Sequence, residues 1–188
     1  MLVVITEPTA DPVTTAWVKT HSRIDGSADD SMVAQFITTA TNLLEETCGV
    51  KLMSQTVELR LDKFLSSPFE LDCWPIQSVT SVKYDDSDGD EQTFAASKYD
   101  TDLSTWRGRI RATDTWPSTK EGFNRVRIRM VAGYATADDV PDKFKQGITL
   151  LAAHWYENRE ATISGTIIRD IPYGVRELVM PARTRWIG

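Results

Sequence analysis

What most limits how this chain can fold is a switch in hydrophobic period, followed by its reversal. Residues 29–48 and 141–160 place apolar side chains at spacings of three and four, whereas much of the stretch between them alternates every second residue. The first spacing gathers side chains on one side of a helix, and the second gathers them on one face of a strand. Two helices so far apart in sequence share a core only if the strands between them fold as an excursion from it.

The first long helix follows Asp25-Gly26-Ser27-Ala28-Asp29-Asp30, a turn dense in capping residues. It carries Met32, Val33, Phe36, Ile37, Ala40, Leu43, Leu44 and Cys48 in one stripe, and Gly49 stops it. A shorter helix over about 12–22 is expected before it, with Asp11 as cap and Pro12 in the first turn, where its missing N–H is harmless. The late helix starts at Pro141 and presents Phe144, Ile148, Leu151, Ala152 and Trp155. A last one is expected near 174–180. Strand signals begin at Val57, Leu59 and Leu61 and recur at 78–84, 92–94, 107–111 and 125–131, separated by turns such as Ser87-Asp88-Gly89-Asp90. The expected class is α+β: a helical bundle core with helices near 12–22, 29–48, 141–160 and 174–180, and a small inserted antiparallel sheet over about 54–131. At 188 residues, 41% of them hydrophobic, a single domain is expected, with its helical core in 1–52 and 138–188 and the β insertion in 53–137.

The formal charge of −6 argues against a diffuse attraction to nucleic-acid phosphates. Cys48 and Cys73 lack metal-ligand spacing and read as buried thiols. No apolar run approaches the roughly 20 residues that span a bilayer, and Met1–Pro8 lacks the charge and length of a signal peptide. A soluble protein that needs no membrane is expected.

Residues able to do chemistry are sparse. His21 and His154 both fall within helical patterns, where an imidazole at the core boundary is commonplace, and no nucleophile-elbow, phosphate-loop or dinucleotide motif occurs. In the acidic run 85–91, Asp86, Asp88 and Asp90 suit calcium-loop positions. Glu91 stands where that loop needs glycine and Ser97 where it needs a bidentate glutamate, so a solvated hairpin turn is the better reading. No catalysis, metal or cofactor is expected.

Arginine is patterned more distinctly. Arg107, Arg109 and Arg111, then Arg125, Arg127 and Arg129, recur at strand spacing as if on one sheet face. Such a face either meets phosphates or an acidic partner, or is consumed by cross-strand pairs with Glu58, Glu70, Asp72 or Asp100. The first alternative would make the chain a DNA-packaging or nucleic-acid-binding accessory protein. Trp74-Pro75 and Trp116-Pro117 flank strands, as partner anchors or as plugs of the sheet ends. The ending Pro181-Ala182-Arg183-Thr184-Arg185-Trp186-Ile187-Gly188 is basic and aromatic-tipped, which suits a peptide that orders in a partner's groove.

Several phrases together resemble the head-tail connector (adaptor) proteins of long-tailed bacteriophages, in their larger form with a β insertion. They are His21-Ser22-Arg23-Ile24-Asp25-Gly26 with Asp29-Asp30; Leu52-Met53-Ser54-Gln55-Thr56; Trp74-Pro75-Ile76-Gln77-Ser78-Val79-Thr80-Ser81-Val82; Val131-Ala132-Gly133-Tyr134; and Val140-Pro141 with His154-Trp155-Tyr156-Glu157-Asn158-Arg159-Glu160, closing on Pro172-Tyr173-Gly174-Val175. Trp74 departs from the pattern, which more often has an aliphatic residue before the proline. The resemblance implies a virion protein, assembled in the host cytoplasm, that forms a homo-oligomeric ring, dodecameric on the portal. That ring would extend the DNA channel and offer a platform to a tail-side stopper or head-completion protein, with duplex DNA passing through unbound. Within that role, Arg183, Arg185 and Trp186 are the candidate portal contacts, the loop 161–170 is a candidate for ordering on assembly, and the polar faces of the two long helices are candidate flanks between subunits.

Overall fold

The computed structural model describes residues 1–105, 107–158 and 173–183, with only the backbone described at 173 and 180–183. It is α+β, with four helices and two small antiparallel sheets. The chain forms two compact units, one of Met1–Thr9 with Met53–Ala135 and the other of Ala10–Leu52 with Thr136–Gly188.

The second unit holds the helices α1 (Thr15–Ser22), α2 (Asp30–Cys48), α3 (Asp142–Glu157) and α4 (Tyr173–Arg183). Helix α1 starts later than the Asp11-Pro12 signal predicts. Thr14 takes the extended backbone of a cap, and its Oγ1 accepts the Trp17 N–H at 3.2 Å, while Val13 before it is buried. Helix α2 runs as expected and stops at Gly49, whose φ of +65° is the left-handed ending glycine tolerates. Val33, Ile37, Ala40, Leu44 and Cys48 of α2 are buried, as are Phe144, Ile148, Leu151 and Ala152 of α3. Helices α2 and α3 are in direct contact: Phe36 and Trp155 lie 6.2 Å apart, centroid to centroid, and a Cβ at Gly147 would sit 3.1 Å from Leu44 Cδ1. Val175 and Val179 of α4 also line the space beside Gly147.

The first unit differs from expectation in two ways. Residues 1–52 were all expected in the helical core, yet Leu2–Thr6 form β1, paired antiparallel with β2 (Gln55–Leu61). The β-branched run Val3-Val4-Ile5 favours that extended backbone, and the Met1 ammonium donates to the Arg60 carbonyl at 2.9 Å. The middle of the chain also forms two sheets where one was expected. Besides β1 and β2, the strands are β3 (Phe69–Glu70), β4 (Ile76–Asp85), β5 (Glu91–Phe94), β6 (Tyr99–Asp102), β7 (Arg109–Ala112) and β8 (Val126–Ala132). The larger sheet has the order β1-β2-β8-β4-β5 and the smaller β3-β7-β6. The physical reason is cover. Val126, Ile128 and Met130 of β8 are fully buried, and Phe69, Ile110 and Ala112 of the small sheet share one apolar cluster with them. A lone sheet would have left that face wet. Trp116 caps the cluster, stacked on Phe64 at 4.5 Å and 4°.

Candidate functional site

The six arginines singled out by spacing do not share a face. Arg109 and Arg111 stand on β7 of the small sheet with Arg107 just before it, whereas Arg127 and Arg129 stand on β8 of the large sheet with Arg125 at its entrance. All six are ion-paired. Arg107 meets Glu70 at 2.6 Å, Arg109 meets Asp102 at 2.6 Å and Arg111 meets Asp100 at 3.0 Å. Arg129 reaches Glu58, its direct cross-strand neighbour, at 2.9 Å. Arg125 and Arg127 both hold Asp85, at 2.9 and 2.5 Å, and Arg127 also reaches Glu91 at 3.0 Å.

The carboxylates respond accordingly. Hydrogen bonds from Arg127 and then Arg125 hold Asp85 below the usual carboxylate range. Burial pushes Glu58 upward, but Arg60 and Arg129 outweigh it and leave its pKa lowered. The register explains why so many carboxylates are needed, since Arg60, Arg127 and Lys83 face one another directly across β2, β8 and β4. Such a row of like charges is unfavourable without anions between its members. Glu58, Glu70 and Asp100 were legible as partners from the sequence; Asp85, Asp102 and Glu91 were missed, because hairpin register decides them.

The acidic run forms the expected hairpin turn. Asp86 Oδ1 accepts the backbone N–H groups of Asp88, Gly89 and Asp90 at 3.0–3.1 Å, and Gln92 donates to its other oxygen at 2.9 Å. Among the described residues no group of three or more His, Cys, Asp or Glu is placed to hold a metal ion. His21 and His154 come together, which spacing did not reveal. With Ser22, Glu157, Gly174 and Val175 they line a recess of about 360 Å³ in the helical unit. Cys48 and Cys73 are buried as thiols, one in each unit. Of the candidate portal contacts, Arg183 is described only as the last backbone position of α4, and Arg185 and Trp186 lie outside the described residues, as does the loop 161–170.

The phrases behind the resemblance turn out to be two structural knots. In the sheet unit, Gly133 donates its N–H to the Pro75 carbonyl at 2.8 Å, and Gln77 Nε2 donates to the Gly133 carbonyl at 2.8 Å and to Ser54 Oγ at 3.1 Å. Met53 bridges to Tyr134, and Trp74 meets the Tyr134 ring edge-on at 5.6 Å. Gly133 is required there: its φ is +102°, and a Cβ would lie 2.1 Å from the Met53 carbonyl oxygen. Burial pushes the Tyr134 hydroxyl up to about 12. In the helical unit, Tyr156 donates its hydroxyl to Asp29 at 2.6 Å, and Lys19 pairs with Asp30 at 2.5 Å. In the sheet unit these phrases hold the backbone around Gly133, and in the helical unit they also supply most of the residues that line the recess beside His21 and His154.

Comparison with known proteins finds likeness over nearly the whole chain. A chain in the neck of an empty gene transfer agent particle, determined with C6 symmetry, is 26% identical; 97% of this chain aligns with 95% of that one at a TM-score of 0.80. A chain in the virion of a native gene transfer agent particle is 27% identical with the same coverage and a TM-score of 0.80. A third, from the neck of a native particle with C12 symmetry, has a TM-score of 0.73 at 24% identity over 97% and 94% of the two chains, which shows the common fold. No curated protein matches the chain. The model of the head completion protein family matches residues 13–180, so this chain belongs to that family.

Proposed function

We propose that this protein is a structural connector of a virion neck, assembled in the host cytoplasm as a ring of identical copies that joins the portal to a tail-side stopper and carries the DNA channel between them. The observation that carries this reading is the full-length likeness, at a TM-score of 0.80, to chains of gene transfer agent necks and virions. The C6 and C12 symmetries of those necks support a ring. In this reading the helical unit is the bundle core of each subunit.

The electrostatics favour passage of DNA over grip. A net charge of −6 gives no general attraction to phosphate. The arginines that would form a nucleic-acid surface are committed to carboxylates on two separate sheets. Portal docking falls to the basic, aromatic end, through Arg183, Arg185 and Trp186. Deleting residues 181–188 tests that assignment by co-sedimentation with portal protein. Loss of portal from the pellet with Tm unchanged is the expected result; undiminished co-sedimentation would assign portal binding to another surface.

A further inference from the structure

Two features of this chain have no use in its own core. The first is Phe123, 82% exposed on the loop between β7 and β8. That loop is held firmly. Gly122 has a φ of +140° with the Arg125 guanidinium against it, Asn124 has a φ of +57° and donates its N–H to Asp62 at 2.9 Å, and Lys120 donates its N–H to the Asp85 carbonyl at 3.2 Å. Left-handed backbone on both sides of a large apolar side chain, with tethers at both ends, presents that side chain to solvent in a fixed geometry. The second is a groove of about 680 Å³ in the helical unit, lined by Pro12, Val13 and Trp17 beside the start of α3 and Leu178 of α4. Trp17, one turn into α1, is 60% exposed at its edge.

From these we infer that the Phe123 loop of one copy inserts into the Trp17 groove of the next, as the apolar centre of the contact that closes the ring. The inference rests on the ring reading above and specifies its interface. A groove of that volume lies within the roughly 300–1,000 Å³ of pockets that bury a drug-sized ligand, so it receives a phenyl ring easily. Knob and groove are different surfaces of one chain, which is the head-to-tail arrangement that generates rings. Lys120 and Glu121 beside the knob, and Asp138, Asp142, Lys143 and Lys145 beside the groove, mix both signs and raise no like-charge barrier. A neighbouring copy is preferred as occupant over a portal protein because one sequence supplies both halves and the necks that hold the similar chains were computed with C6 and C12 symmetry.

The test mixes two full-length variants that keep both anchors, Glu121→Cys beside the knob and Lys143→Cys at the groove edge, under conditions where the parent chain sediments as an oligomer, and treats them with a short bismaleimide. Expected is a hetero-dimer from the mixture and none from either variant alone, with Cys48 and Cys73 unreacted in their cores. Phe123→Asp and Trp17→Ala should each weaken assembly by about 30-fold, the effect of losing an interface anchor. Both side chains are solvent-exposed, so each variant keeps the parent's Tm. Oligomers that form without the cross-link, and that neither substitution weakens, overturn this interface and leave the ring standing. Absence of any oligomer, both in solution and on portal, overturns the ring and the interface together. Weakened portal binding by Phe123→Asp with intact self-assembly overturns the choice of occupant.

Discussion

Asp85 holds Arg125 and Arg127 at once, and its residue surface is only 8% exposed. A carboxyl whose folded pKa is depressed contributes stability above its ordinary value near 3.9 and loses that contribution as pH falls through the lower folded value. Asp85→Asn should therefore destabilise the protein by about 1–2 kcal/mol at pH 7, toward the low end because the arginines stay partly wetted. The gap between variant and parent should close below about pH 4, which thermal melts across that range would show. Gly133→Ala is a harsher change, because it sets a methyl group against the Met53 carbonyl at positive φ. A loss of roughly 3 kcal/mol or more is expected in urea unfolding. At this scale the alternation of arginines was readable, and so were three of their carboxylates. Asp85 and Asp102 were not, because their places depend on hairpin register and sheet membership, which a local pattern does not contain.

The long helices were the most legible elements, since a stripe at three-and-four spacing ending in glycine leaves little choice of structure. Helix α1 was legible in kind and wrong in start, because two competing caps lay three residues apart and Thr14 made the bond. The strand β1 went unread: a five-residue stretch, four of its residues β-branched, has no period of its own and becomes a strand only when β2 offers an edge. The second sheet was hidden for a similar reason, as β3 is two residues long and β7 four. The contact of α2 with α3 also gives a prediction at this scale. Leu44 is fully buried against Gly147, so Leu44→Ala should lower stability by about 2–5 kcal/mol in denaturant unfolding. A change under about 0.5 kcal/mol would mean that the two helices do not depend on each other.

For the whole molecule, the family was legible because its phrases include the close backbone crossing at Gly133 and the hydrogen bond of Tyr156 to Asp29. Phe123, by contrast, looks in sequence like any loop aromatic until its exposure is known. In the proposed neck role, copies of this subunit close into a ring around the DNA path. Electron microscopy of the protein assembled with portal, with rotational symmetry left free during averaging, tests it most directly. A closed rotational ring of this chain with an open bore that admits duplex DNA is expected. A monomer, an open filament or an assembly with a filled centre would contradict it.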